Sequence, residues 1–325
     1  MHYRAAADDG DNGPRVGSFA ETYSLGEQLG DGSYATVHKA TAWATGEIVA
    51  VKRIKKACKL RDVHAEMAFV RSLAHPSIVS VHDFFVESDG YYVVMELVRG
   101  GDLYDRLHKK GVFPEEKVRA LVYNLLTAVR HCHARKVIHR DLKPENVLLV
   151  DDASDVHIKL ADFGFAAKVS SKPLVDMCGT AGYAAPEIAK GLPYSTPVDI
   201  WSIGVIMFVL ITGNLPFGTD RETFRGMCPL SRPPMWYHPY FWSVISTDAQ
   251  RCLERMLVVE PTCRPTADEL LDDPWFLPLK TPVEAPPMRY PRFRRSSTAF
   301  HKYVKPLWKR VSGYLPRRQA QEFTL

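Results

Sequence analysis

The string HRDLKPEN at His139–Asn146, followed by VLLV at 147–150, is the stretch from which the rest of the chain is read. It sets an aspartate, Asp141, two residues before a lysine, Lys143, and an asparagine, Asn146, three residues further on. A proton acceptor, a cation and a neutral oxygen ligand are thereby gathered in one short loop before a strand-like run. Such a loop suits chemistry in which a proton is accepted and negative charge is offset. A His-Arg-Asp triplet alone carries little weight; eight residues in order before VLLV carry much more.

Working downstream, ADFG stands at 161–164, with Asp162 a candidate metal ligand and Phe163 expected to pack inward. In isolation an Asp-Phe-Gly run reads equally as a β-turn. Further on come AAPE at 184–187, VDIWSIGVI at 198–206 and CRPTADELL at 263–271. Upstream, GDGSYATV at 30–37 holds Gly30, Asp31, Gly32, Ser33 and Val37. Two glycines let a backbone approach phosphates closely, and Val37 can pack on a base, although short glycine patterns often mark only a turn. VAVK at 49–52 puts Ala50 and Lys52 on a predicted strand, where a lysine can hold phosphates as a point charge or simply face solvent. Glu66 falls on a helix predicted over about 62–73, within reach of Lys52 in such a scheme.

Between these motifs the pattern changes once. From Tyr23 to Val98 short β-branched and aromatic runs such as IVAVKRI (48–54) and YYVVMEL (91–97) read as strands. After Arg99-Gly100-Gly101 the pattern is helical. Pro114–Ala134 opens with Pro-Glu-Glu and carries Val118, Leu121, Val122, Leu125 and Ala128 at helical spacing; further helices fit 197–212, 247–257 and 266–272. The expected organisation is a disordered leader over 1–22, a domain over 23–280 with a β-rich lobe at 23–97 and a helical lobe at 98–280, and a basic tail over 281–325. The fold class is α+β, with two lobes.

The 325 residues are 46% apolar and 24% charged, ordinary for a globular protein. The net charge of +5 is uneven: residues 281–325 hold ten basic and two acidic residues, so residues 1–280 are slightly acidic. That disfavours nucleic-acid binding by the body and gives the tail its own role. Cys58, Cys132, Cys178, Cys228, Cys252 and Cys263 form no C-x-x-C pair and read as small buried hydrophobes of a reduced, intracellular protein. With no apolar signal segment and no run long enough to span a bilayer, the expected location is cytoplasmic or nuclear.

With these motifs in order, the chain resembles a eukaryotic protein kinase over about residues 23–280. GGDLYDRL (100–107), FGFAAKV, CGTAGYAAPE and DDPWF are similar to the calcium/calmodulin-dependent kinase group. The resemblance implies transfer of the γ-phosphoryl group of ATP, with Mg²⁺, to a protein serine or threonine. It makes Asp141 the acceptor of the hydroxyl proton, Lys143 a γ-phosphate contact, and Asn146 and Asp162 the metal ligands. It assigns Lys52 with Glu66 to the α- and β-phosphates and places Gly30, Asp31, Gly32, Ser33, Val37, Ala50, Met95, Glu96, Val98 and Leu148 around the nucleotide. Glu187 and Arg264 are expected as a buried ion pair, Asp199 as the support of the catalytic-loop backbone, and Thr180 as its bonding partner. One departure is Ala35, where the family pattern has a third glycine. It is the sole support for a rival reading, a pseudokinase or scaffold; Lys52, Asp141, Asn146 and Asp162 all stand against that reading. A small-molecule or lipid kinase is disfavoured by the complete AAPE string.

The resemblance also implies a substrate preference and a mode of control. Asp102 and Glu145 fall where relatives bind a substrate arginine ahead of the target residue; Asp102 reads equally as a helix cap. Asp176 stands where relatives often carry a phosphorylatable threonine, so it is expected to pair with Arg140 without phosphorylation. The tail segment RFRRSSTAFHKYVKPLWKRVSGYL (292–315) admits three readings: an autoinhibitory or calmodulin-binding element, an acidic-membrane contact, or a solvated tail. Pro306 interrupts any helix through its middle. Ser297, behind Arg294 and Arg295, fits autophosphorylation. The chain is expected to be a monomer.

Overall fold

A computed structural model describes residues 18–32, 35–56, 70–217 and 245–280. Residues 1–17 of the leader, Ser33, Glu66 and the tail lie outside the described residues, as do Cys58 and Cys228; against the expected disorder, the end of the leader, Phe19–Thr22, is helical, and Phe19 is buried against the first lobe. The first lobe begins with a one-turn helix α1 (Phe19–Thr22), then strands β1 (Tyr23–Asp31), β2 (Ala35–Ala42), β3 (Ile48–Lys55), β4 (Val81–Val86) and β5 (Gly90–Glu96). They form an antiparallel sheet in the order β1-β2-β3-β5-β4. Alternation along the strands divides their side chains between two faces. Val49, Val51, Tyr92 and Val94 pack on one face with Phe19, Tyr23 and Phe85, and the rings of Phe19 and Tyr92 stack 4.7 Å apart. Ile54, Tyr91, Val93 and Met95 take the other face with Phe84. Only the end of the predicted 62–73 helix is described: Val70–Ser72 is helical, and the chain leaves the helix before His75-Pro76.

The second lobe holds helices α2 (Leu103–Lys110) and α3 (Glu115–Ala134), then β6 (Val137–Ile138), a 3-10 turn at Pro144–Asn146, and β7 (Val147–Leu149) paired with β8 (Ile158–Leu160). Strand β9 (Ala167–Lys168) pairs with β6. Helices α4 (Pro186–Ala189), α5 (Pro197–Thr212), α6 (Thr247–Met256), α7 (Ala267–Leu271) and α8 (Leu277–Lys280) complete the described chain. The predicted stripe of α3 is found buried at Val118, Leu121, Val122, Leu125 and Ala128. Helix α5 is apolar on every side and buried from Val198 to Ile211, as a helix through the middle of a lobe must be. Gly204 makes its crossing close: a Cβ there would lie 2.9 Å from Met256 and Leu257 side-chain atoms.

Two polar hubs brace this lobe. The carboxylate of Glu115 accepts hydrogen bonds from the Ser246 backbone and hydroxyl and from Trp275 Nε1, joining α3 to the approach to α6 and the segment after α7. Asp155, on the loop between β7 and β8, accepts from Arg106, Lys110 and Lys117 at 2.6–2.7 Å. The cysteines divide. Cys132 and Cys252 are buried as expected, but Cys178 is half-buried and Cys263 is exposed. Cys263 closes the short 3-10 turn Pro261–Cys263, in which no residue is buried.

Candidate active site

The catalytic-loop string is held from below. Asp199, on α5 and wholly buried, accepts from the backbone N–H groups of His139 (2.9 Å) and Arg140 (3.0 Å), and its Oδ2 also meets His133 Nε2 at 2.8 Å. Burial alone would raise its carboxyl pKa, but His133 and the loop N–H groups outweigh that and keep it below the ordinary value. This grip coincides with backbone strain: Arg140 has φ of 69° and Asp162 has φ of 58°. Non-glycine residues visit that region at a cost, and only where surrounding bonds enforce it.

Around Asp141 three polar side chains converge. Thr180 Oγ donates to Asp141 Oδ1 at 2.7 Å, and Lys143 Nζ lies 2.8 Å from Thr180 Oγ and 3.0 Å from Asp141 Oδ2. Asn146 Nδ2 donates to the Asp141 backbone carbonyl (2.8 Å) and carboxylate (3.2 Å). Thr180 comes from the segment that runs back across the loop, where Gly179 is obligatory: its φ is 88° and a Cβ would sit 2.5 Å from the Arg140 carbonyl.

Facing this cluster, Lys52 Nζ lies 2.8 Å from Asp162 Oδ1, which joins strand β3 of the first lobe to the second. The ammonium beside it holds Asp162 well below the usual carboxylate range. Phe163 is buried with its ring 4.8 Å from that of His139, as expected. The Lys52–Glu66 pairing cannot be read because Glu66 is outside the described residues.

Register places the nucleotide candidates. Val37 is opposite Lys52, Gly30 opposite Val37, and Ala50 opposite Met95, so all five lie on one face of the sheet. A Cβ added at Gly30 would meet nothing within 4 Å, which leaves open space beside the strand. Asp31 and Gly32 are exposed, and the Gly32 N–H closes on the Ala35 carbonyl at 2.9 Å. The Ala35 methyl, at the departure from the family pattern, packs against the Ile54, Phe84, Tyr91 and Val93 cluster, so the side chain finds room within the fold. Val98 follows β5, and Leu148 lies on β7; the two segments are joined by the Gly100 N–H to the Leu149 carbonyl at 2.9 Å. The Glu96 side chain faces the other way. It is opposite Val49 on the other face, and its carboxylate is occupied by the Ser80 N–H and Lys159, both at 2.7 Å, so only its main chain can serve a base.

A second acidic site lies beside the first. Asp102 caps α2, accepting from the Asp105 N–H at 2.7 Å, as one of its two readings required. Burial raises the carboxyl pKa of both Asp102 and Glu145, and Glu145 Oε2 is buried with no hydrogen-bond partner. Burial, with these carboxylates and Asp105 nearby, pushes the Tyr104 phenol up to about 12. Buried carboxylate oxygens are rarely left unpartnered.

Arg264 and Glu187 form the expected buried pair, bidentate at 2.6 and 2.7 Å. Asp176 Oδ2 lies 3.6 Å from Arg140. Reasoning from sequence missed Tyr194, whose phenol oxygen accepts from Arg140 at 2.8 Å; no motif marks it. Among the described residues no group of three or more His, Cys, Asp or Glu side chains could hold a metal ion. Asp162 and Asn146 offer two oxygen donors, which fits Mg²⁺: it draws its remaining ligands from phosphate and water.

A five-stranded sheet over a helical lobe, with HRDLKPEN and ADFG brought together between them, is the architecture of the protein kinases. The protein kinase domain family matches residues 23–276, and the chain belongs to that family. It is 36% identical over 262 residues to a calcium/calmodulin-dependent protein kinase type II of Caenorhabditis briggsae, covering 79% of this chain and 49% of that one. It is 35% identical over 269 residues to calcium/calmodulin-dependent protein kinase type IV of Mus musculus (82% and 56%). To the SNF1-related protein kinase catalytic subunit alpha KIN12 of Arabidopsis thaliana it is 37% identical over 266 residues (80% and 52%). The chain thus spans about half the length of the curated relatives it matches. Among the described residues no helix is long and apolar enough to cross a membrane.

Proposed function

We propose that the chain is an active serine/threonine protein kinase, transferring the γ-phosphoryl group of ATP to a hydroxyl of a protein substrate. The observation that carries this is the convergence of Thr180, Lys143 and Asn146 on the Asp141 carboxylate, with Lys52 and Asp162 paired opposite. Asp141 accepts the proton of the attacking hydroxyl, and Thr180 and Asn146 fix its carboxylate for that task. Lys143 and Lys52 offset negative charge on the transferred and remaining phosphates. Asp162, ionised well below neutral pH, and Asn146 would hold Mg²⁺, which when bound neutralises charge on the β- and γ-phosphates. Val37, Ala50, Met95, Val98 and Leu148 supply the apolar seat of the base.

Asp102 and Glu145 form the seat of a substrate arginine. The unpartnered, buried Glu145 oxygen supports this, because a guanidinium would supply the missing donor. The activation segment, residues 162–187, rests on Arg140 without a phosphate, with Asp176 standing nearby. The basic tail is an autoinhibitory or calmodulin-binding element, a reading drawn from the named relatives and from its charge. A working location in cytoplasm or nucleus, a monomeric state, and the division into leader, domain and tail belong to the same proposal. The retained charged residues, and the room found for Ala35, speak against the pseudokinase reading. The test is incorporation of labelled γ-phosphate into matched serine and tyrosine peptides. Transfer to serine alone is expected; nucleotide binding with transfer to neither would restore the scaffold reading.

A further inference from the structure

We propose that Tyr194, rather than the charge of Asp176, holds the activation segment onto the catalytic loop, making Tyr194 a positioning residue for phosphoryl transfer. The inference rests on the kinase reading above and concerns its regulation. Arg140, next to Asp141, has a side chain only 5% exposed. Its guanidinium has three oxygen neighbours. Nε donates to the Phe165 carbonyl at 2.5 Å, NH1 donates to the Tyr194 phenol at 2.8 Å, and Asp176 Oδ2 stands off at 3.6 Å. The same phenol donates to the Asp176 backbone carbonyl at 2.9 Å, and the Tyr194 N–H donates to the Leu174 carbonyl at 3.0 Å. One buried hydroxyl therefore bridges the catalytic-loop arginine and the main chain of the activation segment.

The two candidate latches differ in kind. The Asp176 carboxylate is 75% exposed, and an ion pair there is screened by salt and contributes little. The Tyr194 residue is buried, between α4 and α5, in the core of the helical lobe. Removing its hydroxyl deprives a buried guanidinium of an acceptor and a segment carbonyl of its donor, the costly kind of loss. Burial raises the phenol pKa, so the donor proton is present at any working pH. The latch carries no charge of its own to be titrated or screened. Its position next to the strained Arg140, and to the Gly179–Arg140 close approach, places any slackening directly on Asp141 and Thr180.

The test compares the full chain with Tyr194→Phe and Asp176→Asn. Initial rates on a serine peptide are read together with hydrogen exchange across residues 174–180, at low and high sodium chloride. Tyr194→Phe is expected to lower kcat/KM for peptide by about tenfold, with KM for MgATP unchanged and faster exchange confined to the segment. Asp176→Asn should change kcat/KM by less than about threefold, and salt should leave wild-type segment protection intact. A larger effect of Asp176→Asn than of Tyr194→Phe, or protection lost in salt, overturns the proposal. So does a Tyr194→Phe chain that melts lower and exchanges faster throughout with peptide KM unchanged, since that is a structural role alone. If the wild type transfers no phosphate, the kinase reading fails, and the exchange measurements still decide the latch.

Discussion

At the scale of single residues, the arrangement is governed by which charges are buried with partners and which are buried without them. Asp155 has three cationic partners. Burial pushes its carboxyl up, but hydrogen bonds from Lys110, Lys117 and Arg106 outweigh that and bring it from an ordinary 3.8 to about 2. A depressed carboxyl stabilises the fold fully above pH 3.8 and loses that contribution as pH falls through about 2. The shift corresponds to about 2 kcal/mol. Asp155→Asn should therefore lower stability near neutral pH by that order and flatten its decline in the acid window. Denaturant melts at pH 7 and pH 3 check this; a variant as stable as the wild type at neutral pH would contradict it. Glu145 is the opposite case, buried with an oxygen left over. Glu145→Gln and Asp102→Asn should each raise KM for a peptide with arginine ahead of the serine by about tenfold, a charge-assisted bond being lost. Peptides lacking that arginine should be nearly indifferent, and a peptide array without arginine preference in the wild type would remove the seat from the account.

At the scale of elements, the second half of the activation segment is fastened twice. Thr180 and Gly179 meet the catalytic loop, while Glu187 at the start of α4 is clasped by Arg264. Arg264→Met would leave the Glu187 carboxylate buried without its partner, at a cost of about 3–5 kcal/mol, read as a lower denaturation midpoint. An unchanged midpoint would show that water reaches that carboxylate. Apart from those fastenings, Arg140 already has its oxygen partners in Phe165 and Tyr194, with Asp176 nearby. Activity should accordingly need no phosphorylation of this segment, with phosphatase treatment changing the rate little. Large activation by phosphorylation at Ser170, Ser171 or Thr180 would contradict that. The longer elements could be read from the sequence because their signal is long enough to register, as in the helical stripe of α3 and the β-branched and aromatic runs of β3 and β5. Of the two- and three-residue strands only β7, in the VLLV run, could be read, and the pairings β6–β9 and β7–β8 could not, since so few residues define no period. Tyr194, the Asp155 cluster and the turned-away Glu96 carboxylate escaped for a related reason. Each depends on which residues folding brings together from distant positions, and a local motif does not encode that. The strain at Arg140 and Asp162 is equally invisible in side-chain chemistry, although both fall inside motifs that the sequence did reveal.

At the scale of the whole molecule, the chain is divided by charge: a slightly acidic body and a strongly basic segment after residue 280. An acidic seat formed by Asp102 and Glu145, and a basic stretch containing Arg294, Arg295 and Ser297, are complementary in sign, which is what an autoinhibitory tail requires. The most direct test of the account is transfer of labelled phosphate from MgATP to an arginine-rich serine peptide by the intact chain, by residues 1–280, and by Asp162→Asn as the blank. The account predicts transfer by the unmodified chain or, if the tail inhibits, by the truncated one, and none by the blank. Transfer by neither, with folding and nucleotide binding intact, would contradict it.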